Sequence, residues 1–197
     1  MDTIAVFDFD GTLTRKNSFQ DFLIHQFGIL SFCSGIAANI LPLTLYAFRI
    51  ISNHKAKEKI FQYFFAGRTE EDFNHICTQY AFGEIDKMIN PEALKKVKWH
   101  LREHHTLVIA SASLSNWIAP WAKKNHFQDV IATEPEIKEG VLTGGFATQN
   151  CHGLEKLRRF LEKYPDRNQY ILYVYGDSSG DRPLLHVADK PFFRSFH

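Results

Sequence analysis

Asp8 and Asp10, in the stretch AVFDFDGTLT from Ala5 to Thr14, stand two residues apart at the end of an apolar run. That spacing puts both side chains on one face of an extended chain. Two further apolar runs end on polar groups in the same way. TLVIA (106–110) runs into Ser111, and QYILYVY (169–175) runs into GDSSGD, which supplies Asp177 and Asp181. In GLEK (153–156), Lys156 falls in the first turn of a helical pattern. Ionised carboxylates crowded into one cleft repel one another. A hard divalent cation relieves that repulsion, and Mg²⁺ prefers such oxygen ligands. Metal and lysine together would attract an anion, phosphate above all. One aspartate could attack phosphorus while the other moves a proton. Gly11 permits a tight turn whose amides could face phosphoryl oxygens.

The elements that must position these groups alternate. Strands are predicted at 4–7, 106–110, 129–133 and 169–175, with helices at 91–105, 115–126 and 153–164. Pro91 suits a first helical turn, and Pro120 is expected to bend or break its helix. Residues 136–146 read as a small hairpin around Gly140 and Gly144–Gly145. The fold class is therefore α/β, a Rossmann-like, mostly parallel sheet flanked by helices. Ligands of such sheets bind beyond the carboxyl ends of the strands. Helical signals fill 18–89, too long for a simple crossover, so a helical cap inserted after the first strand is expected. The division is 1–14 and 91–197 for the core and 15–90 for the cap.

Bulk properties narrow the classes. The 197 residues carry a net charge of +1 and are 45% hydrophobic. That balance argues against disorder and gives no reason to expect a nucleic-acid partner. Cys33, Cys77 and Cys151 lack metal-site spacing and are odd in number, so buried thiols in a reducing cytoplasm are expected. No signal peptide is evident.

DFDGTLT, the serine after LVIA, the lysine of GLEK, and GDSSGD resemble the four ordered motifs of the haloacid dehalogenase superfamily. The resemblance spans Asp8 to Asp181, and it is nearest to the branch that includes phosphoserine phosphatase, with its cap between the first and second motifs. It implies a Mg²⁺-dependent phosphatase in which Asp8 is the nucleophile that forms an aspartyl-phosphate and Asp10 the acid/base. Ser111 and Lys156 would hold the phosphoryl group, with Gly11 and Ala112 beside it. Asp8, the Asp10 backbone carbonyl and Asp177 would ligate the metal, supported by Asp181. Each residue also has a plainer reading. Ser111 could cap a helix, Lys156 could be solvated, and Asp177 and Asp181 could cap the helix after GDSSGD. A phosphomutase or a non-catalytic scaffold would share the same motifs.

Leu23–Phe48 contains no Asp, Glu, Lys or Arg over 26 residues, longer than the ~20 needed to cross a bilayer. A single crossing would separate Asp8 from Ser111, Lys156 and Asp177. Two readings remain: a hydrophobic cap core, or a helical hairpin resting on the inner face of a membrane, with Arg49, Lys55, Lys57 and Lys59 toward anionic lipid. The second resembles the branch that contains phosphatidylglycerophosphate phosphatases, so the phosphorylated substrate is a small molecule or a lipid. Near the first motif, Asn17 stands about where phosphoserine phosphatase has a glutamate, which argues against an amino-acid substrate. The oligomeric state has no sequence signal.

Overall fold

The computed structural model describes residues 2–196. The chain begins with β1 (Asp2–Phe7) and continues through α1 (Ser18–Ala38), α2 (Ile40–Ala47), α3 (Asn53–Phe65), α4 (Glu70–Gly83) and α5 (Ile85–Met88). Next come α6 (Pro91–Arg102), β2 (Thr106–Leu114), α7 (Ser115–Lys124) and β3 (Asp129–Thr133). A hairpin of β4 (Pro135–Lys138) and β5 (Val141–Phe146) precedes α8 (Leu154–Lys163), β6 (Tyr170–Gly176), α9 (Arg182–His186) and β7 (Lys190–Phe193).

Five parallel strands form the sheet in the order β3-β2-β1-β6-β7. Alternation along the strands divides the core into two layers. Ala5, Phe7, Leu107 and Ile109 join one buried cluster; Ile4, Val6, Val108, Ala110, Leu172 and Val174 join the other. The four strands read from sequence are present. β7 is an addition: its four residues, KPFF, include a proline and lie at the sheet edge, where a missing donor is tolerated. Helix α7 runs unbroken through Pro120. Its buried Trp117, Ile118, Trp121 and Ala122 anchor it against the core, which outweighs the one hydrogen bond that proline removes.

Helices α1 to α5 lie between β1 and the crossover helix α6. Side-chain caps start several of them: Asn17 accepts from Gln20 N, Ser52 from Lys55 N, Thr69 from Asp72 N and Asn90 from Glu92 N. An aromatic cluster of Phe22, Phe61, Phe65 and Phe73 packs the base of this insert. Helix α1 is apolar and long enough to cross a membrane, but Gly28 (φ +78°, ψ 162°) breaks it into two shorter pieces. Each piece, about ten residues at 1.5 Å rise, covers about half of a 30 Å hydrocarbon layer. Phe19, Phe22 and Leu23 of the first piece are buried, whereas α2 has no buried residue. Most of Leu23–Phe48 is therefore not a packed core. Cys33 also departs from expectation, being exposed at the surface of α1, while Cys77 and Cys151 are buried free thiols.

Candidate active site

The carboxyl ends of β1, β2 and β6 meet at one rim. Asp8 directly follows β1, and its backbone N–H donates to Tyr175 O of β6 at 2.9 Å. Ser111 is fully buried within β2, and its Oγ accepts from Ser113 N at 3.0 Å. Asp177 directly follows β6. Gly11 turns the chain at φ +84°, so close to Asp177 that a Cβ there would lie 2.5 Å from its Oδ2. Thr12 Oγ1 donates to Asp177 Oδ1 at 3.2 Å. A cavity of about 520 Å³ opens over these groups, and Asp8, Asp10, Gly11, Ser111, Ala112 and Lys156 all line it.

Lys156, in the first turn of α8, is buried rather than solvated. Its Nζ donates to Asp8 Oδ1 at 2.8 Å and to Asp181 Oδ1 at 2.5 Å. Burial alone would lower the lysine, but Asp8 and Asp181 outweigh burial and hold it above its ordinary value, so it stays charged. Burial pushes the Asp8 carboxyl well above the usual carboxylate range; Lys156 opposes this, and Asp181 and Asp10 add to it. Asp181 is buried too, but Lys156 and Ser178 overcome burial and hold it below its ordinary value.

Carboxylate oxygens of Asp8, Asp177 and Asp181 lie within 4.8 Å of one another. Two oxygens on one Mg²⁺, each about 2.1 Å away, are at most about 4.2 Å apart, so this oxygen-only set fits such an ion after small side-chain movements. Asp181, however, is already engaged on both sides. Its Oδ1 takes Lys156, and its Oδ2 accepts from Asp177 N, Ser178 N and Ser178 Oγ. It closes a capping box with Ser178, so the helix-capping reading holds for Asp181. A carboxylate so fully bonded supports Lys156 and the Asp177 loop, and Asp8 and Asp177 are left to offer oxygen to a cation.

The Asp10 side chain turns to different partners. Its Oδ1 accepts from Ser18 N at 2.7 Å, and its Oδ2 accepts a short hydrogen bond from Ser113 Oγ. Ser113 is not among the site residues expected from the sequence. Its i, i+2 spacing from Ser111 on β2 was the available signal, since that period returns a residue to the same face. Ser111 does not cap α7 either; Leu114 occupies the cap position, with no side-chain bond. Lys57 of α3 and His152, just before α8, also line the cavity. Lys57, expected beside Lys55 and Lys59 toward lipid, instead turns inward to Ala112 O, and His152 carried no local signal; tertiary packing alone brings both to the cavity.

Comparison with known proteins is consistent across the chain. A family profile described as haloacid dehalogenase-like hydrolase matches residues 5–186. Protein CicA of Caulobacter vibrioides is 29% identical over 201 residues, covering 98% of this chain and 86% of its own. A protein of unknown function from Bordetella pertussis Tohama I superposes with a TM-score of 0.80 at 22% identity, covering 94% of this chain and 87% of that one. A phospho-aspartyl intermediate analogue of phosphoserine phosphatase superposes at 0.60 with 14% identity, covering 95% and 83%. At these identities the solved structures speak to fold.

Proposed function

This chain belongs to the haloacid dehalogenase-like hydrolases, and from that premise we propose that it is a Mg²⁺-dependent phosphomonoesterase acting through an aspartyl-phosphate on Asp8. One observation supports the reading above the others. A buried ammonium, Lys156, bridges the Asp8 carboxylate and Asp181 at the floor of a cavity that also receives Asp10, Ser111 and Asp177.

In the proposed reaction, an Asp8 carboxylate oxygen attacks phosphorus and the bond to the leaving oxygen breaks. Asp10 gives its proton to that oxygen. Water then attacks phosphorus, Asp10 takes the water's proton, and the P–O bond to Asp8 breaks, restoring the carboxylate. The covalent intermediate divides one difficult step into two easier ones. Lys156 neutralises the phosphoryl oxygens and Ser111 offers its hydroxyl to them. Asp8, Asp177 and the Asp10 carbonyl would hold Mg²⁺, which supplies charge neutralisation during transfer. Ser113 and the amide of Ser18 fix the carboxylate of Asp10. Helices α1 to α5 serve as the cap over this site. The test is phosphate release from an aryl phosphate with Mg²⁺: Asp8→Asn and excess chelator should each abolish it, and full activity in either case defeats the mechanism.

A second observation favours work at the cytoplasmic face of a membrane. Leu30, Leu41, Phe48 and Ile50 are large apolar side chains more than half exposed on α1, α2 and the loop after α2. Arg49, Lys55 and Lys59 lie beside them in sequence. Such an apolar surface with basic flanks suits an anionic bilayer, and a lipid phosphomonoester would then be the substrate. Flotation with vesicles containing anionic lipid decides this: co-flotation is expected, and protein left wholly in the soluble fraction refutes it.

A further inference from the structure

Three cations lining this cavity have no part in the reaction above: Arg15 and Lys16, which are exposed, and Lys57, which is half-buried. Lys57 stands on the first turns of α3, and other contacts hold that end of the helix against the core. Asn150 Nδ2 donates to Asn53 Oδ1 at 2.6 Å, Asn150 N to His54 Nδ1 at 3.1 Å, and Phe146 N to Glu58 Oε1 at 3.2 Å. From this platform the lysine reaches in over the Phe19 ring, 4.7 Å from its centroid, to line the cavity with Asp8, Ser111 and Lys156. Its Nζ donates to Ala112 O at 2.5 Å, one residue beyond Ser111.

Its partnering differs from that of Lys156. Lys156 has two carboxylates within 2.8 Å. Among the described residues, Lys57 has no carboxylate within ion-pair distance; its acceptor is a neutral carbonyl. Ala112 O is also shared, since Thr133 Oγ1 donates to it at 2.8 Å. Burial lowers Lys57 to about 8, although Asp10 acts to raise it. A desolvated ammonium balanced by a carbonyl is poorly compensated, and an anion entering the cavity would complete it. The anion that belongs beside Ser111 and Lys156 is a phosphoryl group.

We propose that Lys57 is a phosphate-binding residue contributed by α3, a second cation for the phosphoryl group that Ser111 and Lys156 hold. This rests on the phosphomonoesterase reading above. In the absence of substrate, Ala112 O holds the ammonium in place. When the phosphoryl group arrives, the same Nζ turns its remaining donors to phosphate oxygens. The contact crosses from the helical insert to the core, so binding the anion also tightens α3 over the site.

Competitive inhibition by inorganic phosphate is the direct probe, measured with Mg²⁺ on wild type, Lys57→Gln and Lys57→Arg. Loss of a charge-assisted hydrogen bond predicts a Ki about 10- to 100-fold weaker in Lys57→Gln. Lys57→Arg, which keeps the charge, should recover most of it. The loss should appear in kcat/KM for an aryl phosphate with thermal midpoints unchanged. A Ki within about twofold of wild type overturns the proposal. So does equal impairment of both variants with a lowered midpoint, which marks a purely structural contact. Should wild type release phosphate from no ester, the enzymatic reading fails by itself. Calorimetric titration of phosphate with Mg²⁺ into wild type and Lys57→Gln then still tests Lys57: weaker binding by the variant supports it, equal binding overturns it.

Discussion

Replacing Gly11 with alanine tests whether Asp177 must occupy its observed place. Two costs arise. The first is local: φ is +84°, and an L-residue in that left-handed region costs about 1–2 kcal/mol. The second is a collision. The new methyl would lie 2.5 Å from Asp177 Oδ2 and 2.9 Å from its Cγ, against about 3.5–4.0 Å for comfortable carbon contacts. Asp177 must therefore retreat by roughly 0.5–1 Å to reach such contacts. Mg²⁺ tolerates little of this, because its ligand distances are fixed near 2.0–2.1 Å, and misplacement by about 1 Å can cost about 100-fold in rate. Gly67 provides the control. Its φ is +82°, yet nothing lies within 4 Å of a Cβ there. Gly67→Ala should lose about the same 1–2 kcal/mol in urea denaturation and keep full activity. Gly11→Ala should match that stability loss but release phosphate about 100-fold more slowly and need more Mg²⁺ for half-maximal rate. If the Mg²⁺ dependence and rate of Gly11→Ala equal those of Gly67→Ala, the placement of Asp177 does not govern the chemistry.

Lys156→Met removes the ammonium between Asp8 and Asp181 and should destabilise the fold by about 3–5 kcal/mol by urea titration. Its phosphate release should fall at least about 100-fold, and wild-type stability would contradict the pairing. Ser113→Ala takes a hydrogen-bond donor from the Asp10 carboxylate. Its kcat should fall about 10-fold, part of the roughly 100- to 10,000-fold that general acid–base catalysis supplies. Ser113→Thr should restore it, and an unchanged kcat in Ser113→Ala would remove Ser113 from the mechanism. His100 is buried, with Nε2 3.0 Å from the Tyr175 hydroxyl, and burial lowers it to about 3. Its folded value lies below its unfolded one, so between pH 6.5 and 3 the unfolded chain binds more protons and stability falls with acid. The slope from this residue is about 1.4 kcal/mol per pH unit. His100→Gln should flatten stability below pH 6.5, and an unchanged slope would show that His100 carries none of it.

The sequence was most informative where chemistry and periodicity coincided. Apolar runs ending at Asp8, Ser111 and Asp177 could be read because buried parallel strands are continuous and site groups follow their ends. Edge strand β7 escaped because four residues with a proline carry no period. The exposure of Leu23–Phe48 escaped for another reason: an apolar stretch has the same composition packed or bare. Lys57 sits 55 residues from the carbonyl it meets, and only tertiary packing, chiefly of α3 on β5, brings them together. Asp181 was read as a support near the metal, and its two fully bonded oxygens show what it supports.

Strand β1 lies in the middle of the sheet, between β2, about a hundred residues later, and β6, about 165 residues later. A chain emerging from the ribosome thus presents its first strand long before either neighbour exists. Its bare edge must wait in the company of the oily α1–α2 segment. Assembly is obliged to be late and governed by distant pairings, which slows folding and lengthens exposure to aggregation. A holding chaperone should therefore raise the yield of this protein more than any change to its finished core.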